Sequence, residues 1–114
     1  MVDGIYSLTY RGAVDWGIGM LVLQRGSIVG ADAGGVLYDG TYQDRGDSLD
    51  VRLTMTVPPG VTLVQGTLAQ PTAYSVPINV SLSKRALTTS EPVLLQMPPG
   101  PVNAIFRKLR PLSD

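Results

Sequence analysis

Glycine and proline interrupt this chain from end to end, 13 and 9 of them in 114 residues, and leave no stretch in which a helical apolar stripe develops. Between the interruptions lie runs of strand length. Ser48–Val57 is the clearest. Leu49, Val51, Leu53, Met55 and Val57 fall on one side, and Ser48, Asp50, Arg52, Thr54 and Thr56 on the other. A period of two is that of a strand with one buried and one wet face. Tyr74–Ser83 repeats it, with Tyr74, Val76, Ile78, Val80 and Leu82 alternating with Ser75, Pro77, Asn79, Ser81 and Ser83. Pro77 has no amide hydrogen to give to a ladder, so its nitrogen belongs at an edge or in solvent.

Further strands are expected at Ile5–Arg11, Trp16–Gln24, Ser27–Gly30, Val36–Gln43, Val93–Met97 and Val102–Leu109, with a weaker one at Thr62–Leu68. Arg25-Gly26 spells a tight hairpin turn, Gly30–Gly35 a loop and Asp44–Asp47 a turn. Gly40 inside a strand pattern implies a bulge or a close backbone approach. Lys84–Glu91 is polar and irregular, with room for one helical turn. About eight short strands at regular spacing predict a single all-β domain, a barrel or a sandwich. A barrel of that size has an interior that side chains fill or that holds one small ligand. Trp16–Gln24 is apolar on both faces, with Trp16, Ile18, Met20 and Val22 on one and Leu21 and Leu23 on the other. Such a strand is covered on its outside by a partner subunit or by a neighbouring loop. A homodimer interface is expected to use Trp16, Leu21 and Leu23.

Formal net charge is zero, so no global field draws nucleic acid or an acidic membrane. The first fifty residues carry seven aspartates against three arginines, and the remainder six basic residues against Glu91 and Asp114. With no cysteine and no histidine, disulfides, thiolate and imidazole metal sites and imidazole acid–base catalysis are excluded. No metal or cofactor site and no enzymatic activity are expected. MVDGIYSLTY has neither a basic nor a long apolar segment of a signal peptide. The longest apolar runs, near Ile18–Leu23 and Pro92–Leu95, are of strand length, too short for a membrane helix. The expectation is a cytoplasmic protein.

Several motifs read as structure rather than chemistry. Arg45-Gly46-Asp47 spells an adhesive tripeptide but sits in a hairpin turn. Gly30–Gly35 looks like a phosphate loop yet lacks the lysine, the hydroxyl and the following helix that such a loop needs. Asp32, Asp39, Asp44, Asp47 and Asp50 cluster in sequence, and read as hairpin-tip charges or as an acidic patch for a basic partner. Arg107-Lys108-Leu109-Arg110 reads as a solvated edge. The five tyrosines and Trp16 read as core or interface before ligand lining.

DGIYSLTYRG at the start, GIGMLVLQRGSIVGAD over Gly17–Asp32, VLYDGTYQ over Val36–Gln43 and, more loosely, PVNAIFRKLRPL over Pro101–Leu112 resemble the GrlR-type family. These are small bacterial proteins typified by a negative regulator of type III secretion. The resemblance implies a calycin- or lipocalin-like, eight-stranded up-and-down antiparallel barrel, a homodimer, a lipid site in the lumen and an acidic loop that binds a transcriptional activator. The loop corresponds to Asp44, Arg45, Gly46 and Asp47, in which only the outer two residues keep the acid. The leading expectation is therefore a non-enzymatic regulator acting by protein–protein contact through Asp44, Arg45 and Asp47. The alternative is a barrel binding a small apolar ligand or lipid, with Ile5, Ile18, Met20, Leu53, Met55, Ile78 and Phe106 lining the lumen.

Overall fold

A computed structural model describes residues 2–112. Eight antiparallel strands make one sheet that curls into a nearly closed barrel: β1 (Gly4–Arg11), β2 (Trp16–Gln24), β3 (Ser27–Asp32), β4 (Leu37–Asp44), β5 (Ser48–Val57), β6 (Tyr74–Ser83), β7 (Val93–Leu95) and β8 (Val102–Arg110). The order β6-β5-β4-β3-β2-β1-β8-β7 is that of an up-and-down barrel. β6 and β7 are the two ends of this order, and no ladder joins them. A short helix, α1 (Lys84–Thr88), lies between them in the chain.

The alternation read from Ser48–Val57 and Tyr74–Ser83 is realised as β5 and β6, paired in unbroken register from Ser48↔Ser83 to Val57↔Tyr74. Leu49, Val51, Met55, Val57, Ile78 and Leu82 all point into one core. Pro77 sits on β6, the edge of the sheet, where its missing amide hydrogen costs no ladder bond on the open side. Arg25 and Gly26 turn β2 into β3 with φ of 50° and 85°, the pair of positive values that a two-residue hairpin matching strand twist requires. Gly40 is a close approach and not a bulge. Its register neighbours run evenly, and a Cβ there would collide with the Arg52 carbonyl oxygen and with Leu53. The irregularity in the sheet lies instead between β1 and β8, where the register shifts between Ile5 and Tyr6.

Several strand ends shift by one or two residues, β7 stopping at Leu95 rather than Met97, and two segments change class. Gly30–Asp32 belongs to β3 rather than to a loop, because Leu21↔Gly30 and Gly19↔Asp32 extend the pairing with β2. Residues 58–73 form no strand, so Thr62–Leu68 is corrected. Their backbone closes local turns: Gly60 and Gly66 take φ of 80° and 102°, Leu63 N–H donates to the Thr67 carbonyl at 2.9 Å, and Gly66 N–H donates to the Leu63 carbonyl at 2.9 Å.

This long segment crosses one end of the barrel. Leu63 is buried, and the Val14 and Asp15 amides in the β1–β2 turn donate to the Val64 carbonyl at 2.9 and 3.3 Å. The opposite end is closed by α1. Ser83 caps it, its hydroxyl accepting from Arg85 N–H at 3.2 Å, and Ala86 and Leu87 are buried. The Lys84 amide donates to the Asp47 carbonyl at 2.9 Å, which fixes the helix against the β4–β5 turn. No helix among the described residues is long and apolar enough to cross a membrane.

A candidate binding lumen

Because side chains alternate along each strand, the apolar half of every strand faces the barrel axis. The inward side chains do not fill the interior. They leave a cavity of about 460 Å³, within the range of sites for small organic ligands. Its wall draws on all eight strands: Leu8 from β1, Leu21 and Leu23 from β2, Ile28 from β3, Tyr38 from β4, Val51, Leu53 and Met55 from β5, Ile78 and Val80 from β6, and Ala104 and Phe106 from β8. Leu95 is the contribution of β7, and Leu87 of α1 forms part of the floor.

Of the seven residues expected to line a lumen, Leu53, Met55, Ile78 and Phe106 do so. Ile5 and Met20 do not. They stand on outward positions of β1 and β2, and Met20 is 49% exposed. Ile18 is also outward and half exposed, and meets the cavity only where it opens. The expected interface set is likewise split by the alternation. Trp16 is exposed, but Leu21 and Leu23 are buried in the lumen wall and are unavailable to a partner. The outward residues of β2 are Trp16, Ile18, Met20 and Val22. Ladder pairing sets Met20 beside Ala31 and Ala31 beside Leu37, and sets Val22 beside Val29. Thr9 lies between Ile18 and Ile105. Trp16, Ile18, Met20, Val29, Leu37 and Ile105 are all exposed, so an apolar patch runs across the outer surface of β8, β1, β2, β3 and β4.

The cavity opens at the end crossed by residues 58–73, between the β1–β2 turn, the β3–β4 loop and the segment near Gln65. Asp32 organises this mouth. Its carboxylate accepts four hydrogen bonds. Gly34 and Val36 N–H donate to Oδ1 at 2.9 and 3.0 Å, the Tyr38 hydroxyl donates to Oδ2 at 3.2 Å, and the Tyr10 hydroxyl donates to Oδ2 as well. Asp32 is thus no hairpin-tip charge but the hub of the β3–β4 loop. Burial first, and then the bond to the Asp32 carboxylate, pushes the Tyr10 phenol far above its ordinary range. Burial, together with the neighbouring Tyr10 and Asp32, does the same to Tyr38. Both phenols therefore stay protonated at neutral pH, with their hydrogens committed to Asp32. The sequence carried a signal for this hub: an aspartate two residues before a glycine pair, flanked by tyrosines on inward-facing strand positions. Hydroxyl contacts across 22 and 6 residues were not legible from it.

At the other end Asp3 plays a related part, accepting from the Tyr42 hydroxyl and from Arg25 N–H at 3.1 Å. The Tyr42 bond, and then the Arg25 amide, holds the Asp3 carboxyl below its usual range. Lys108, from the basic run, lies 6.0 Å from the centroid of the Tyr6 ring.

Asp44, Arg45 and Asp47 come together at the β4–β5 turn, and two of the three are engaged. Lys84 Nζ contacts both Asp44 oxygens at 2.7 Å, and Arg45 Nε donates to Asp50 at 2.9 Å. Gly46, φ 91°, makes the turn, and the adhesive-type tripeptide is part of this hairpin. Among the described residues no group of three or more acidic, histidine or cysteine side chains is placed to hold a metal ion. Comparison of the chain with known protein families, with curated proteins and with solved structures returns no match.

Proposed function

We propose that this chain is a non-enzymatic binding protein that holds a small apolar ligand in the lumen of its barrel. The observation that carries the reading is the cavity of about 460 Å³ with a largely apolar wall of aliphatic and aromatic side chains. Burying a ligand there removes apolar surface from water at about 25 cal/mol per Å², without any rearrangement of the strands. An environment-sensitive apolar dye should bind in a saturable way and raise the melting temperature. At a hundredfold excess over Kd, the added stability is about 2.7 kcal/mol. Met55→Trp or Val51→Phe, which narrow the lumen, should weaken dye binding while the barrel stays folded. Dye binding unaffected by both would sink the reading.

A second reading is favoured by a separate observation, the exposed apolar patch across β8, β1, β2, β3 and β4. Patches of this kind mark protein contacts. It supports a contact with a second copy through this surface, and, taken with the sequence resemblance to the GrlR-type family, we infer as the second reading a cytoplasmic regulator that works by protein–protein contact. Native mass spectrometry should then find a dimer, and Met20→Lys should split it. A monomer at micromolar concentration would count against this reading and leave the lumen proposal standing.

A further inference from the structure

The charged groups that line the lumen are of one sign. Asp15 and Asp32 both line the cavity where it opens, and among the described residues no lysine or arginine lines it. The phenols of Tyr10 and Tyr38, both in the cavity wall, donate their hydrogens to Asp32, which leaves their oxygens as acceptors. The mouth is therefore rich in acceptors and negative charge, above an apolar wall. From this we infer that the lumen selects amphiphiles whose polar head donates hydrogen bonds, above all primary amines, and rejects carboxylates of the same chain length.

The inference rests on the lumen reading and adds the head-group chemistry to it. The cavity supplies the binding energy, through burial of the ligand's apolar tail. The carboxylates supply the discrimination. An ammonium at the mouth is attracted to Asp15 and Asp32, whereas a carboxylate there is repelled. The aromatic side chains of Tyr10, Trp16 and Tyr38 stand in the same part of the wall, and aromatic faces also attract an ammonium. Asp32 already accepts four hydrogen bonds, so its contribution to the ligand is charge, while the phenol oxygens are the direct acceptors.

The test is displacement of a bound neutral apolar dye by decylamine, decanol and decanoate at neutral pH. The expected order is amine, then alcohol, then acid, with the amine at least about tenfold tighter than the acid. Asp32→Asn keeps the side-chain size and an acceptor for the Gly34 and Val36 amides while removing the charge. It should bring amine and acid to within about threefold of each other. Ala33→Lys places a cation at the same mouth without removing the Asp32 hydrogen bonds, and should narrow the gap in the same way even if the asparagine variant does not fold. Dye that binds but is displaced equally by all three compounds, or best by the acid, overturns the head-group inference and leaves the lumen reading intact. Failure of the dye to bind the native protein overturns both.

Discussion

Asp32 and Asp3 stand at opposite ends of the barrel, and each holds a tyrosine hydroxyl from a different strand. The Asp3 contribution to stability varies with pH. The folded protein keeps the Asp3 carboxyl below its ordinary value of 3.8. Its contribution is therefore complete above about pH 4 and is lost as the pH falls through the lower folded value. Urea midpoints taken at neutral pH and near pH 3 should show Asp3→Asn destabilised relative to the native chain at neutral pH, with the gap narrowing in acid. An equal gap at both pH values would show that Asp3 makes no such contribution. Tyr74 is the opposite case. Its hydroxyl is the one buried side-chain polar atom among the described residues without a hydrogen-bond partner. An unsatisfied buried hydroxyl costs about 1 kcal/mol or more. Tyr74→Phe should raise stability by about 1 kcal/mol in urea unfolding, and a loss of that size would mean the hydroxyl has a partner in solution.

Among the elements, β4 and β5 are held together by the most demanding contact in the sheet. Gly40 lets the β5 backbone at Arg52 and Leu53 approach where any Cβ would collide. Strand propensity favours valine over glycine, but steric overlap with backbone outweighs it. Gly40→Val should cost about 2–3 kcal/mol or prevent folding. Gly46→Ala serves as the contrast. Nothing lies within 4 Å of its Cβ position, and the cost there is that of placing alanine at φ 91°, about 1–2 kcal/mol. Chemical denaturation of the two variants separates the explanations, since equal losses would show that glycine's backbone freedom and not the close approach decides at Gly40. The strands β5 and β6 and the Arg25-Gly26 turn were legible because each is a local pattern. Residues 58–73 misled because Thr62–Leu68 has strand composition, while its backbone hydrogen bonds close turns over the barrel mouth.

For the molecule as a whole, the weak line is the seam between β6 and β7. Eight strands close a barrel only if the last pair meets, and here β7 has three residues against ten in β6. Asn79, Ser81, Leu94 and Gln96 line a gap between them. Amides of β6 that face this gap should exchange with deuterium faster than those of β5, which pairs on both sides. Equal protection of the two strands would mean that the seam is closed in solution. The sequence by itself determined the class of fold, because alternation and glycine–proline punctuation are local consequences of backbone geometry. It also excluded imidazole and thiolate chemistry through the absence of histidine and cysteine. It did not assign facing in β2, where both sides are apolar. Only ring closure made Leu21 and Leu23 lumen and Ile18 and Met20 surface. Nor did it reveal the mouth of the cavity. The Tyr10–Asp32–Tyr38 cluster exists because three strands, with their inward positions at one level of the barrel, bring together side chains that the chain separates, and no local pattern records that distance.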